Sequence, residues 1–234
     1  MYKRVLLKLS GEALSNGKDE PLYNPNLERV ALEIKEANSK GIQICVVVGG
    51  GNFYRGKMGA TMGMDRTTGD FMGMLATIMN ALAIRNALTK CGVDSVVMTS
   101  IAMQGVAETF TKDKAIEALN NNKVVVFGGG TGLPYFSTDT CSALRALECN
   151  CEIILMAKNG VDGVYDSDPK LNKNAEKFEE ISYNKIIELN LQVMDQTATS
   201  LCKDNNMPLL VFNMNENGNI VKACDGTVKG TIVK

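Results

Sequence analysis

Short runs rich in Val, Ile and Leu alternate with longer amphipathic stretches along almost the whole chain, and this alternation narrows the folds open to it. Candidate strands fall at 3–9 (KRVLLKL), 42–48 (IQICVVV), 94–99 (DSVVMT), 123–128 (KVVVFG), 152–156 (EIILM) and 208–213 (PLLVFN), with a C-terminal pair near 219–222 and 230–233. Uninterrupted runs such as VVV suit strands covered on both faces, as in a parallel sheet. Helical patterns lie between them. In 24–41, Leu27, Val30, Ala31 and Ile34 share a face, with Asn24 or Asn26 as cap and Gly41 as stop. A long helix covers about 72–90 and ends near Gly92; others fit 112–121, 138–149, 182–190 and 194–206. Strand, helix, strand in repetition predicts an α/β fold, a three-layer αβα sandwich with a mostly parallel central sheet. The 234 residues suit one domain, 1–234, with a seam between two lobes near 150–157.

Three of these strands run into glycine-rich turns: KLSGEAL (8–14), VVVGGGNFYRG (46–56) and VVVFGGGTGLPYFSTD (124–139). In a parallel sheet, ligands bind beyond the carboxyl ends of the strands. Glycine there lets backbone N–H groups approach phosphate oxygens, and the following helix N-terminus adds partial positive charge. One such turn is ordinary punctuation; three at one sheet edge point to a polyanion site. No G-x-x-x-x-G-K-[ST] is present, so a P-loop is excluded. Gly49 and Gly51 begin a G-x-G, but the third glycine of the dinucleotide fingerprint falls on Tyr54, and the 128–132 cluster does not fit it either.

Charged residues at these turns sharpen the reading. Lys8 ends an apolar strand beside Ser10 and Gly11. A lysine there can snorkel to solvent, or serve as a point charge for a transferred phosphoryl group. Arg55 follows the second turn, where its fork suits a phosphate. Asp139 and Asp195 each sit at a helix start, so helix capping and a role in the chemistry both stand.

Composition removes other chemistry. With no histidine, Ser-His and Cys-His nucleophile pairs and an imidazole base are all excluded. Seven cysteines are scattered; Cys149 and Cys151 form a C-x-C with no second cluster, so no protein-built metal site is expected and the thiols read as idle in a reducing cytosol. A net charge of -1 without a Lys/Arg stripe argues against nucleic acid as a partner. The N-terminal MYKRVLLKLSGEAL is too short and interrupted for a signal peptide, and no stretch is expected to span a membrane. The expected compartment is the cytoplasm.

Taken together, the motifs resemble the amino-acid-kinase family, and within it the bacterial uridylate kinases, over nearly the whole chain. The markers are KLSGEAL, VVVGGGNFYRG, DRTTGDFMGMLATIMNALAIRNAL, GGGTGLPYFSTDT, KNGVDGVYDSDP, VMDQTA, VFNMN and GTVKGTIV. The resemblance implies transfer of the γ-phosphoryl of ATP to UMP, with Mg2+ accompanying ATP. It implies an acceptor lobe over about 1–152 and an ATP lobe over about 153–234. Lys8, Leu9, Ser10 and Gly11 match the family's ATP-phosphate turn, completed by Gly51 and Arg55; Asn159, Tyr165 and Asp168 match residues around adenine and its ribose. For UMP, Gly50 matches a backbone contact and Asp70 the ribose carboxylate. The loop of Thr131, Gly132, Leu133, Pro134, Tyr135, Phe136, Ser137 and Thr138 matches the surround of uracil and its phosphate. Lys8, Arg55, Asp139 and Asp195 are the implied catalytic set, the two carboxylates orienting the lysine and the metal-bound phosphates. Relatives pair helices of the Met-rich region (Met58, Met62, Met64, Met72, Met74, Met79) into dimers that build hexamers, whereas the residues alone read as core or interface filler.

Two positions depart from the pattern. Leu133 stands where relatives carry Asn, which removes a side-chain hydrogen bond. The segment SNGKDEPLYNPN replaces a glycine-rich loop involved in GTP regulation, leaving allosteric control open. Two other readings also stand: a kinase of this fold acting on a small carboxylate or carbamate, and a nucleotide sensor without turnover.

Overall fold

The computed structural model describes residues 1–17, 19–55, 63–169 and 171–234; Met58 and Met62 lie outside the described residues, as does Gly56 at the end of the second glycine-rich turn. Its strands are β1 (Arg4–Leu9), β2 (Gln43–Val48), β3 (Ser95–Thr99), β4 (Glu108–Thr109), β5 (Val124–Gly128), β6 (Ile153–Lys158), β7 (Val164–Tyr165), β8 (Lys177–Phe178), β9 (Glu180–Ile181), β10 (Leu209–Asn213) and β11 (Thr231–Val233). Nine of them form one sheet in the order β4-β3-β5-β2-β1-β6-β10-β11-β9, while β7 and β8 make a separate antiparallel ribbon. Every neighbouring pair in the large sheet is parallel except β10 with β11. The expected sheet is thus observed.

The helices are α1 (Asn24–Ser39), α2 (Arg66–Lys90), α3 (Lys112–Asn120), α4 (Thr138–Glu148), α5 (Tyr183–Glu188), α6 (Gln196–Asp204) and α7 (Asn219–Asp225). They cover the sheet on both sides because the strands bury alternate residues in opposite directions. Val5, Leu7 and Leu9 pack with Ile34, Ile84 and Ile220 of α1, α2 and α7. Leu6, Ile154 and Met156 pack with Leu119, Ala143, Ile186 and Cys202 of α3 to α6. Each such leucine, taken fully out of water, contributes about 1.5–3 kcal/mol. Two cores and one sheet make the three layers.

Several local expectations change. The segment 219–222 is not a strand but the first turn of α7, bracketed by Gly218 and Gly226, both in the left-handed region. Asn24 and Asn26 do not cap α1: Tyr23 holds that position without a side-chain bond, Asn24 donates to Glu28, and Asn26 donates to the Ser15 carbonyl. Gly41 does stop α1, at φ 85°. The long helix α2 begins at Arg66 rather than near 72, because the Asp65 carboxylate caps the Thr68 N–H and recruits a polar first turn. By length and apolar composition α2 does reach the measure of a membrane span, contrary to the sequence expectation; half of its most apolar window is buried inside the protein, as in the core helix of a sandwich.

The topology locates a crevice. From β1 the chain moves to β2 on one side, and much later to β6 on the other. The carboxyl end of β1 is therefore the point where strand order reverses, the place where open α/β sheets bind ligands.

Candidate active site

β1 ends in Lys8 and Leu9, which face opposite sides of the sheet. Leu9 is fully buried, so it can offer a ligand backbone alone, and its carbonyl already accepts from the Gly49 N–H at 2.9 Å. Lys8 faces α4, with Nζ 2.7 Å from Asp139 Oδ1. Ser137, not Asp139, caps α4: its Oγ accepts from the N–H groups of Asp139 (3.0 Å) and Thr140 (3.1 Å). Asp139 is thereby released from capping, and charge pairing with Lys8 is its observed role. Asp195 does both jobs. It caps α6 through the Ala198 N–H at 3.0 Å, and it accepts from the hydroxyls of Thr140 (3.2 Å) and Ser137. One carboxylate thus ties the start of α6 to the start of α4.

Lys158 is a site residue missed in the sequence. Strand register sets Lys8 opposite Met156, so Lys158, two residues on, projects on the same face. Its Nζ donates to the Val193 carbonyl at 2.8 Å. Burial pushes its pKa below that of an ordinary lysine, and the nearby charge of Lys8 pushes it the same way, against an opposing pull from Asp139. Its signal in the sequence is the one that marked Lys8: a lysine closing an otherwise apolar strand.

A cleft of about 290 Å3 opens beside this point, lined by Gly50, Gly51, Asp70, Gly130, Phe136 and Thr138 among others. Close packing demands glycine at two places. A Cβ on Gly50 would lie 2.8 Å from the Gly73 carbonyl oxygen, and one on Gly11 would lie 2.4 Å from Asn52 Oδ1. Asn80, fully buried in α2, donates to the Gly49 carbonyl and to Asn52 Oδ1, both at 2.7 Å. Asn52 answers by donating to Asn80 Oδ1 (2.9 Å) and to the Pro21 carbonyl (2.6 Å). This clasp ties the second glycine-rich turn to α2 and to the Pro21 carbonyl; an Asn within the apolar stretch of the helix is its sequence trace. Arg55 pairs with Glu12, which follows Gly11. Ser10 opens a 3-10 turn, Gly11–Leu14, with its carbonyl accepting from Ala13 at 3.0 Å.

The third turn is held from several sides. The Gly129 N–H donates to Thr77 Oγ1 at 2.9 Å, and Tyr135, at φ 71°, donates its N–H to Asp70 Oδ2 at 2.7 Å. Arg66 lies 4.5 Å over the Tyr135 ring and 3.6 Å from Asp70. Thr131 Oγ1 accepts from the Leu133 N–H at 3.2 Å, and Gly132 donates to the Gly129 carbonyl at 3.0 Å. Leu133, with Pro134 behind it, is 59% exposed and makes the rim of the loop apolar.

A second cleft, about 580 Å3, lies on the other side of Lys158, which lines it with Val164, Tyr165, Asp168, Leu191 and Val193. Apolar walls with two carboxylates, Asp166 and Asp168, among the lining suit a planar base carrying a ribose. The Tyr165 hydroxyl donates to Asp162 at 2.7 Å and Lys177 to the same carboxylate at 2.8 Å; these bonds hold Asp162 below the usual carboxylate range. Asn159 stands outside this lining, accepting from Asn215 Nδ2 at 2.7 Å. Among the described residues, no cluster of three or more His, Cys, Asp or Glu could hold a metal ion. Thr138 of the smaller cleft precedes Asp139, and Lys158 of the larger feels the charges of both Lys8 and Asp139, so the ion pair adjoins residues of both clefts, an arrangement fitted to moving a charged group between two ligands.

Residues 3–213 match the model of the amino acid kinase family. A uridylate kinase of Limosilactobacillus reuteri (strain DSM 20016) is 54% identical over 233 residues, covering 100% of this chain and 97% of that protein. The crystal structure of UMP kinase from Ureaplasma parvum superposes with a TM-score of 0.96 at 40% identity, covering 100% of this chain and 99% of that one. UMP kinase from Bacillus anthracis gives 0.97 at 43% identity, with 100% and 96% covered.

Proposed function

Because the chain belongs to the amino acid kinase family and, within it, to the uridylate kinases, we infer that it transfers the γ-phosphoryl group of ATP to UMP, yielding ADP and UDP. The observation that carries this reading is the Lys8–Asp139 pair at 2.7 Å at the carboxyl end of β1, next to Thr138 of one cleft and near Lys158 of the other. The smaller cleft, in the lobe 1–152, takes UMP; the larger, in the lobe 153–234, takes the adenosine of ATP.

The chemistry needs no general base. A phosphomonoester loses its second proton at about pH 6, so the attacking UMP oxygen is already ionised near neutrality. That oxygen forms the new P–O bond as the bond to the ADP oxygen breaks in line. Catalysis is positioning plus charge neutralisation. Asp139 holds the Lys8 ammonium toward the transferred group, and Lys158 adds a second cation on the donor side. Arg55 exchanges Glu12 for an ATP phosphate. The backbone of Ser10, Gly11 and Gly51 lies against the donor phosphates, and Asp70 accepts from the UMP ribose.

Magnesium belongs to the substrate complex. It is typically held by one or two carboxylates together with substrate phosphates, and Asp139 and Asp195 at the start of α4 and α6 fit that pattern better than a protein-built cage would. When bound it supplies further neutralisation of the phosphates. A hexamer built from dimers is the assembly we favour, and the cytoplasm the compartment, since seven unpaired thiols belong in a reducing environment.

A coupled assay of ADP release tests the reading. UMP with Mg-ATP is expected to turn over, CMP and dTMP poorly, and acetylglutamate, aspartate or carbamate not at all; EDTA is expected to abolish the rate. Nucleotide binding without ADP release, or equal turnover of CMP, would overturn it.

A further inference from the structure

Arg145 is 4% exposed, deep beneath the sheet face, and its burial needs a reason. Placing a guanidinium inside a protein costs several kcal/mol unless its donors are met. Its plane stacks over Phe110, 3.8 Å from the ring centroid, and stands 5.9 Å from Phe127. Nη1 pairs with Glu148 one turn along α4, and among the described residues Nε has no partner. Nη2 reaches across to a loop 45 residues away in sequence and donates to Ser100 Oγ at 2.8 Å. Ser100 Oγ in turn donates to the Gly130 carbonyl at 2.7 Å.

The direction of these bonds is forced. Arginine has donors and no acceptor, so toward it the serine oxygen must accept. The single hydroxyl proton is then left for Gly130, and the adjacent positive charge polarises it toward that carbonyl. Gly130 has φ 56°, between Gly129 at 79° and Thr131, with Gly132 at 82°. A run of left-handed glycines has little stiffness of its own. A Cβ on Gly132 would lie 3.1 Å from Ser100 Cβ, so the loop also rests on Ser100 by contact.

We propose that Arg145, acting through Ser100, is a positioning relay that sets the Gly128–Gly132 turn for the acceptor. The inference rests on the reading of this loop as the UMP site. Because the peptide is trans, a carbonyl of Gly130 held toward Ser100 turns the Thr131 N–H to the opposite side. The relay thus fixes a backbone donor of the acceptor loop without touching the ligand. Placement on α4 has a second effect: Asp139 at its start serves the transfer point, and Arg145 less than two turns later serves the acceptor loop, so one rigid helix registers both.

A residue that merely anchors α4 behaves differently from a relay. Glu148 is one-third exposed and can be solvated alone, so Arg145→Met, apolar and unbranched, is expected to keep the melting temperature near that of the native chain or raise it. The KM for UMP is nonetheless expected to rise about tenfold in Arg145→Met and in Ser100→Ala, as loss of a hydrogen bond to a charged group would give. The KM for ATP stays unchanged. Ser100→Ala with Arg145→Met is expected to cost little more than either alone, since both break the same chain. Additive effects, or an unchanged UMP KM in a native chain that does turn over UMP, would overturn the relay alone. A native chain that binds ATP but ignores UMP would overturn the acceptor reading and the relay with it.

Discussion

Lys8 and Lys158 close neighbouring strands on one face of the sheet, yet their surroundings differ. Lys8 has a carboxylate at 2.7 Å, whereas Lys158 leans on a neutral carbonyl and is held low by burial. For Lys8→Ala we expect kcat to fall ~100-fold or more with a smaller change in UMP KM, as loss of one preorganised charge contact does. A near-normal kcat in steady-state assays would remove Lys8 from the transfer step. For Lys158→Met we expect a loss of kcat accompanied by equal or higher stability near pH 7. The sign follows from linkage. Below its lowered folded pKa, Lys158 is charged in both states and its burial opposes folding. Between that pKa and 10.5 the unfolded chain keeps the proton and the folded chain does not, so native stability rises with pH across this window. The stability gap between variant and native chain should therefore shrink from pH 7 to pH 10 in thermal melts. Lys8 was legible from its place in the sequence; Lys158 was missed although the same rule marks it, and Arg145 and Ser100 carry no such mark because 45 residues separate the two partners.

At the level of elements, the glycine-rich turns are shaped by what lies against them as much as by what they bind. Gly50 sits on the backbone of α2, with room for no Cβ. Gly50→Ala is expected to destabilise the fold by ~1–3 kcal/mol through overpacking and to raise the KM for UMP. Denaturant melts and steady-state kinetics check both; an unchanged UMP KM would mean that the turn adapts without disturbing the cleft. The central strands and long helices were readable because their apolar period is sustained. Segment 219–225 misled through Ile220 and Val221, β-branched neighbours that suggest a strand. Its true signal was Ile220, Ala223 and Cys224 at helical spacing between two glycines. The start of α2 escaped because Arg66, Thr67 and Thr68 carry no apolar period, and the cap at Asp65 alone announced it.

Across the whole molecule, one nine-stranded sheet carries the strands beside both clefts, with β1 and β6 adjacent within it. On the outer side of α2, Phe71, Leu75 and Met79 repeat every four residues at 40, 46 and 49% exposure, with Met72 beside them. A strip of that kind on a helix is suited to a second copy of the chain. Leu75→Glu with Met79→Glu is expected to reduce the solution mass, measured by light scattering, from an oligomer toward a single chain; an unchanged mass would place the contact elsewhere. Met74, by contrast, is core.

Three of the site's four cations each face a carboxylate of their own, Lys8 with Asp139, Arg55 with Glu12 and Arg66 with Asp70, while Lys158 faces the Val193 carbonyl. The resting crevice is thus close to electrically balanced. An incoming anion therefore meets cations that already have partners and must compete with a carboxylate at each. A nucleotide can take over Arg55 from Glu12 while Lys8 stays with Asp139, so only the outer pairs need part. Entry to such a crevice is a matter of exchange rather than of simple attraction.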